Sequence, residues 1–419
     1  MLSQSTSLYK ILQKRYSRRI NLDLNRINNV LTKLDSPHLD LKHPINILGS
    51  DGKMSTLVSL KFFFEAHNKK VTTFTSPHLY DLRQRFWLKD KYISLKKIKK
   101  LIRIIEQTKS KLTLFELLTC VYILAAKEQS KIDYHLIEAG LFFKKDSTNL
   151  WKYPRAQIVT NINFQHQNWI NPKTLHEICK QKLSFLSNKT TIYIAKQKPN
   201  VLKIIKKLLK KNKSKIIYSS GWKIIKTKYN FIYKEGKKKL PINSNYIYTK
   251  GLINNLGLAI KIALDFGVPR KTIVKTIPKI FFEGRVQYLK KGKIKKLLKP
   301  NEKLLIDGCH SVASGTNLYE YLKTINGPIY GIWGMQKNRL PKAFIKIFSK
   351  IFKKIITVKI PDEPNALSAK NLKNISKEYI DSEQAPNIIS ALRKISDERS
   401  KTIVVFGSLY LIGALLSRN

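Results

Sequence analysis

An apolar run that stops at two glycines and then turns helical in its spacing governs the front of this chain: Asn46-Ile-Leu-Gly-Ser-Asp-Gly-Lys-Met-Ser55. Such a run reads as a buried strand, a tight turn and a helix, because glycine alone enters the left-handed backbone region without strain. The turn lets Gly49 and Gly52 bring the backbone close to an anion. The new helix aims its first free N–H groups at that anion, and Lys53 adds a full positive charge. Gly49, Ser50, Asp51, Gly52, Lys53, Met54 and Ser55 therefore form a candidate phosphate cradle, with a nucleotide as the natural ligand. The pattern departs from G-x-x-x-x-G-K-[ST], with Ile47 at the first glycine and Met54 where a hydroxyl is usual. Taken alone, it also fits an ordinary glycine-containing turn with a solvated lysine.

A chain of 419 residues predicts two or three domains. Cys120, Cys179 and Cys309 have neither metal-ligand spacing nor a paired framework, which suits a reducing compartment, and a cytoplasmic location is expected. The longest apolar stretch, Val404 to Leu416, is too short for a membrane helix of ~20 residues, so no membrane partner is expected. The basic, acid-free N-terminus raises an organelle transit peptide as an alternative. The 80 Lys and Arg against 27 Asp and Glu give a formal charge of +53, which draws polyanions. The lysines are spread along the whole chain, however, and no recognition-helix, zinc-finger or RNA-binding signature accompanies them. Nucleic acid is not the expected partner.

Helical spacing over residues 7 to 35 predicts two packed helices, closed by Asp35-Ser-Pro37. Strands are expected at Ile45 to Leu48, Val71 to Phe74, Ile132 to Ala139 and Gln157 to Ile162, and a buried helix at Thr113 to Lys127. Thr75-Ser-Pro-His-Leu79, with Arg83 and Arg85, follows a strand at the edge where open α/β sheets hold ligands, although Pro77 and His78 also suit a plain turn. Glu138 closes an apolar strand, a costly place for a carboxylate without a partner or a cation. Ser76, Glu138 and His166 thus leave strand ends at one presumed sheet edge, and their oxygen and imidazole groups beside a phosphate loop suit Mg²⁺. Residues 200 to 247 read as a lysine-rich helix face and short hairpins with a turn near Gly236, and Asn255 to Leu264 as another buried helix. A second α/β unit restarts after Gly284-Arg285. Its strands are expected at Lys303 to Ile306, Ile329 to Trp333, Lys354 to Val358 and Thr402 to Phe406, with a boundary within 286 to 302. The chain divides as 1–290 and 291–419.

The order of these motifs resembles the folylpolyglutamate synthase and dihydrofolate synthase family, relatives of the cell-wall Mur ligases. The family's G-T-N-G-K-G-S corresponds to Gly49-Ser-Asp-Gly-Lys-Met-Ser55, T-S-P-H-L to Thr75 to Leu79, and T-F-F-E to Thr113-Leu-Phe-Glu116. Its E-V-G-L-G-G-R-L-D-A-T-N corresponds to Glu138 to Asn149, L-D-H-x-D-W to Phe164-Gln-His-Gln-Asn-Trp169, and E-K-A-G to Gln181-Lys-Leu-Ser184. P-G-R is similar to Glu283-Gly-Arg285, and D-x-A-H-N-P to Asp307-Gly-Cys-His-Ser-Val312. Ile360 to Ser368 and Gly407 to Leu411 are similar to two closing stretches. Residues 7 to 37 resemble the family's N-terminal helices, which weighs against a transit peptide.

The resemblance implies a P-loop, Mur-ligase-like ATPase domain followed by a smaller Rossmann-like α/β domain. It implies a monomeric ligase that uses ATP and two Mg²⁺ ions to join L-glutamate to dihydropteroate, to a folate, or to both. Lys53 and the loop amides would hold phosphates, Ser76, Glu138 and His166 would bind metal, and Lys182 matches a carbamylated lysine. Arg285 would reach the γ-phosphate, Asp307 and His310 would serve ATP and glutamate, and Thr113, Phe115, Glu116 and Asp146 would contact the acid substrate. The departures are Asp51 for Asn, Phe142-Phe143-Lys144 for Gly-Gly-Arg in the loop expected to face the pterin, and Ser311-Val312 for Asn-Pro. They leave a second reading open, a non-catalytic nucleotide- or polyanion-binding member of the same fold.

Overall fold

A computed structural model describes residues 4–17, 23–165, 169–227, 230–247, 249–397 and 399–419. The chain forms two compact units, Met1–Asn245 with Leu252–Ile280, and Tyr246–Gly251 with Phe281–Asn419.

The first unit is built on an eight-stranded sheet: β1 (Pro44–Leu48), β2 (Val71–Phe74), β3 (Phe86–Leu88), β4 (Lys91–Tyr92), β5 (Tyr134–Glu138), β6 (Ala156–Val159), β7 (Thr191–Ile194) and β8 (Lys215–Tyr218). Its order is β4-β3-β2-β5-β1-β6-β7-β8. All neighbours from β2 to β8 run parallel, while β3 and β4 add an antiparallel edge. All five residues of β1 are buried, as a strand covered on both faces requires. Its register aligns Ile47 with Glu138 on one side and Leu48 with Val159 on the other. The loop that follows β1 therefore rises from the middle of the sheet, between the ends of β5 and β6.

Helices cover both faces. Helix Lys53–Ala66 buries Leu57, Leu60, Phe63 and Phe64, and helix Leu114–Lys127 is buried around most of its circumference. Leu24–Lys33 is amphipathic, presents Ile27, Val30 and Leu31 inward, and starts at Asp23, whose side chain accepts from Asn25 N–H. One apolar cluster joins these N-terminal helices to β2, β3 and helix Leu114–Lys127, through an aromatic stack of Phe74 with Phe86, Phe115 and Tyr122. A second cluster, with Phe142, Phe143, Ile178, Leu183 and Ile205, lies against β1, β6 and β7. A small antiparallel sheet, β9 (Lys223–Lys226), β10 (Phe231–Glu235) and β11 (Lys238–Ile242), turns at Gly236.

The second unit contains β12 (Gln287–Tyr288), β13 (Glu302–Asp307), β14 (Ile329–Trp333), β15 (Lys354–Thr357), β16 (Ser382–Gln384) and β17 (Lys401–Phe406), in the order β12-β13-β17-β14-β15-β16. All are parallel except β12.

The expected strands recur, with three differences. The strand expected over 157 to 162 ends at Val159, because Asn161 leaves the ladder and offers its carbonyl to the loop after β1. The main segment of the second unit runs from Phe281, ahead of 286 to 302, since β12 pairs with β13 and so belongs to the second sheet, and Tyr246–Gly251 joins the same unit. The strands not expected, β7, β12, β16 and the β3–β4 hairpin, are each two to four residues long and carry too few alternating residues to announce themselves.

Candidate active site

The loop after β1 is zipped to the loop after β6. Ser50 N–H and Asp51 N–H donate to Asn161 O at 2.9 and 3.2 Å, and Ser50 Oγ donates to Asn163 O at 3.2 Å. Gly49 has φ 140°, and a Cβ there would stand 2.1 Å from Thr160 Oγ1. Gly52 caps helix Lys53–Ala66 with φ 92°, and a Cβ there would meet the Asn255 amide at 2.6 Å. The two glycines are thus required by backbone angle and by crowding together. Asp51, which would repel a phosphate chain, turns its carboxylate to the amides of Asn163 at 2.6 Å and Gln165 at 3.1 Å. Met54 is 42% exposed, so its side chain does not crowd the helix start.

Lys53 Nζ donates to Gly49 O at 3.3 Å and to Ser50 O at 3.5 Å, and lies 4.0 Å from Glu138 Oε1. Glu138 is buried, and its Oε2 accepts from Ser76 N–H at 3.0 Å. The ends of β1, β2 and β5 thereby bring Lys53, Ser76 and Glu138 together. A buried carboxylate hydrogen-bonded to Ser76, whose own hydroxyl is a second hard oxygen donor, is of the kind Mg²⁺ takes, so these residues fit the ion. His166, the third expected ligand, lies outside the described residues. Among those described, no three His, Cys, Asp or Glu side chains gather into a metal-sized group.

Lys182, on helix Leu175–Leu183, is fully buried. Its Nζ donates to Gly49 O at 3.0 Å and to Leu141 O at 2.6 Å, with the Phe142 ring centroid 5.3 Å away. Burial, and then the nearby Lys53 charge, lower its pKa to about 7. A substantial fraction of this amine is therefore unprotonated at neutral pH.

The residues expected at the acid substrate divide into two kinds. Thr113 and Glu116 close a capping box on helix Leu114–Lys127, with Thr113 N–H donating to Glu116 Oε2 at 2.7 Å and Glu116 N–H to Thr113 Oγ1 at 3.4 Å. Arg26 grips the same carboxylate at 2.7 and 3.2 Å. Asp146 is buried and folds its own loop, accepting from Gly140 N–H at 3.0 Å, Leu141 N–H at 3.1 Å, Thr148 N–H at 3.0 Å and Thr148 Oγ1 at 2.6 Å. Burial raises its pKa, and these four donors oppose the rise. Phe115 is half-buried and stacks on Phe74 at 5.7 Å. Phe142 and Phe143, in the loop expected to face the pterin, point into the core at 0% and 1% exposure. Two rings in place of two glycines gain more from burial than from solvent.

In the Thr75 to Leu79 loop, His78 Nδ1 accepts from Arg85 Nε at 2.9 Å, and Tyr9 meets the imidazole edge-on at 4.4 Å. Burial, and then the Arg85 charge, lower the His78 pKa to about 3, so it stays neutral.

In the second unit, Asp307 ends β13 and accepts from Val286 N–H at 2.9 Å and Cys309 N–H at 2.7 Å. Burial raises its pKa, with the Arg285 charge opposing. His310 Nδ1 lies 2.9 Å from Gly308 O. Arg285 and Asp307 are thus neighbours, joined through the turn at Gly284, whose carbonyl accepts from Gly308 N–H at 2.9 Å.

Asn255 was not anticipated. Its Nδ2 donates to Ser55 Oγ at 2.8 Å, across 200 residues of sequence, and no local pattern marks it. All three cysteines are buried and free, and among the described residues no helix is long and apolar enough to cross a membrane.

Residues 290–418 match the family described as dihydrofolate synthetase, C-terminal domain. The chain is 24% identical to the Saccharomyces cerevisiae dihydrofolate synthetase, over 95% of its own length and 97% of the relative's. It is 26% identical to the Bacillus subtilis dihydrofolate synthase/folylpolyglutamate synthase over 44% of each chain. Among solved structures, the Mycobacterium tuberculosis folylpolyglutamate synthase complexed with ADP superposes with a TM-score of 0.85 at 18% identity, covering 98% of this chain and 97% of that one. Escherichia coli FolC in complex with DHPP and ADP gives 0.84 at 17% identity, covering 99% and 97%. At such identities the structural likeness speaks for the fold.

Proposed function

We propose that this chain, which belongs to the dihydrofolate synthase and folylpolyglutamate synthase family, is an ATP-dependent ligase that joins L-glutamate to the carboxyl group of dihydropteroate, of a folate, or of both. The observation that carries the reading is the convergence at one sheet edge of Lys53, 4.0 Å from Glu138, and Lys182, 3.0 Å from the Gly49 carbonyl. A carboxylate attacks the γ-phosphorus, ADP leaves, and the glutamate amine then displaces phosphate from the acyl phosphate. Such chemistry asks for positioning and charge neutralisation more than for a protein nucleophile.

Lys53 and the N–H groups opening helix Lys53–Ala66 hold the β- and γ-phosphates. Asn255 fixes the Ser55 hydroxyl at the helix start. Ser76, Glu138 and His166 would hold Mg²⁺, which neutralises phosphate charge when bound. Lys182, with its depressed pKa, has the free amine that carbamylation requires, and a carbamate there would add a carboxylate-like group for a second ion. The roles carried over for Arg285 with the γ-phosphate, and for Asp307 and His310 with ATP and glutamate, belong to the same proposal. So do a monomeric state and a cytosolic location, the latter supported by three buried, free thiols.

Glutamate ligation measured separately with dihydropteroate and with tetrahydrofolate tests the reading. ATP consumption is expected only when Mg²⁺, glutamate and one of these acids are all present. Equal ATP loss without any pterin acid would overturn it.

A further inference from the structure

Arg85 is 5% exposed. It precedes β3, and its carbonyl accepts from Thr75 N–H, just past the end of β2, at 3.0 Å. Among the described residues its guanidinium makes a single hydrogen bond, from Nε to His78 Nδ1 at 2.9 Å, and it stands 5.7 Å from the Tyr9 ring centroid. No acid pairs with it among those residues, and the undescribed stretches of the first unit, 1–3, 18–22, 166–168 and 228–229, contain no Asp or Glu. The carboxylate of Asp81, four residues away, is already engaged by Ser5 Oγ at 2.7 Å and by Arg83 Nη2 at 2.6 Å.

A buried lysine can shed its proton. A guanidinium cannot, so a buried arginine without a counter-charge is costly. An imidazole that accepts from Nε and an aromatic face orient this side chain without neutralising it, and among the described residues neither terminal nitrogen has a hydrogen-bond partner, while both keep some contact with solvent. That is the geometry of a fork prepared for a two-oxygen anion. The ligand class follows from the surroundings. Phe86 and Phe74 are core rings that stack on one another at 5.7 Å, and Phe74 stacks at 5.7 Å on Phe115, which is half-buried and is the ring of this stack left to meet a ligand. In strand order β2 stands two places from β1, about 10 Å from the phosphate loop at the usual interstrand spacing. An oxyanion carried beside an aromatic group fits there.

We propose that Arg85 is a specificity residue that binds a carboxylate of the aromatic acid substrate, held in place by His78 and Tyr9. The proposal rests on the ligase reading and adds a recognition site to it. The carboxylate is either that of pteroate itself or the α-carboxylate of a glutamyl group already attached.

Steady-state constants for dihydropteroate, tetrahydrofolate, ATP and glutamate, measured for wild type, Arg85→Gln and Arg85→Lys alongside melting temperature, test it. Arg85→Gln should raise KM for the acid on the order of 10- to 100-fold, as expected for a hydrogen-bonded charge, with KM for ATP unchanged. Arg85→Lys should recover part of the loss, since it keeps the charge but not the fork. A rise confined to tetrahydrofolate assigns the α-carboxylate, a rise confined to dihydropteroate assigns the pteroate carboxylate, which is an amide in tetrahydrofolate, and a rise with both assigns the carboxylate that each acid presents for ligation. Unchanged KM for both acids, or a rise for ATP alone, overturns the proposal.

The wild-type protein supplies a check that a folding defect cannot confound. Without ATP, pteroate should raise its melting temperature more than pteroate methyl ester does, or tetrahydrofolate more than its α-methyl ester, and equal shifts in both comparisons would again overturn the assignment. Should wild type ligate neither acid, the ligase reading fails by itself. The melting shift with tetrahydrofolate in wild type and in Arg85→Lys still reports on Arg85.

Discussion

Lys182 in the first unit and Lys401 in the second are buried to the same degree, at 1% and 4% exposure, and are held in opposite ways. Lys401 Nζ lies 2.5 Å from Asp397 and 3.7 Å from Glu302, and donates to Ile395 O at 2.9 Å. Glu302 in turn accepts from Ser396 Oγ at 2.6 Å and from Lys299 N–H at 2.9 Å. That lysine is one member of a compensated network, and its role is to hold the second unit together. Lys182 has no ion pair among the described residues, only two loop carbonyls and an aromatic ring. A protein gains little stability from a cation arranged so, which points to the amine itself as the thing retained.

The sharpest way to break the contrast is to replace each lysine by methionine. Lys401→Met strands a buried Glu302 carboxylate and should cost about 3 to 5 kcal/mol in denaturant unfolding, while kcat of the folded fraction stays near wild type. Lys182→Met should leave the unfolding free energy near pH 7 unchanged or higher, yet abolish ligation. If both variants lose stability alike, the two sites do not differ as described.

Lys53→Ala comes next. It removes the ammonium at the phosphate loop and should lower kcat/KM on the order of 10²- to 10³-fold. Because the Lys53 charge also helps depress Lys182, the amine of Lys182 should titrate at higher pH in this variant, which ¹³CO₂ labelling of the lysine across a pH series would detect.

The pH dependence of stability follows with its sign fixed. The folded pKa of Lys182, about 7, lies below its ordinary value of 10.5. Between these values the unfolded chain binds a proton that the folded chain does not, so unfolding free energy gains with rising pH. The full penalty is present below pH 7 and is relieved toward pH 10. Unfolding curves of wild type should therefore rise relative to Lys182→Met across that window, and a flat difference would show that Lys182 is not the group responsible.

How far the sequence foretold this contrast depends on the range over which each contact forms. The strand, glycine turn and helix around Lys53 were legible because their signal is local: an apolar run, two glycines and a lysine within ten residues. Glu138 was legible for a similar reason, as a carboxylate closing an apolar strand. The Lys182 contacts with Gly49 and Leu141 span 133 and 41 positions, and Asn255 meets Ser55 from still farther, so neither environment could be read from periodicity. The inward turn of Phe142 and Phe143 was hidden for another reason: a loop sequence does not state which face of the loop meets the core. Thr113-Leu-Phe-Glu116 is the converse case. Its T-x-x-E spacing before an apolar run is itself a helix-start signal, while the resemblance suggested substrate contact.

That last case gives the smallest test and extends the comparison from cations to acids. Glu116, 3% exposed, is the first unit's counterpart to Glu302: its oxygens accept from Thr113 N–H and from the Arg26 guanidinium, so its charge is compensated within the fold. Thr113→Ala removes only the hydroxyl that accepts from Glu116 N–H at 3.4 Å, a long bond, and should cost about 1 kcal/mol or less of stability. If the pair serves the helix alone, KM for dihydropteroate and tetrahydrofolate stays at the wild-type value. A KM that rises for either acid without a matching loss of stability would return Thr113 to the substrate side, and would mean that compensation inside the fold does not by itself mark a residue as structural.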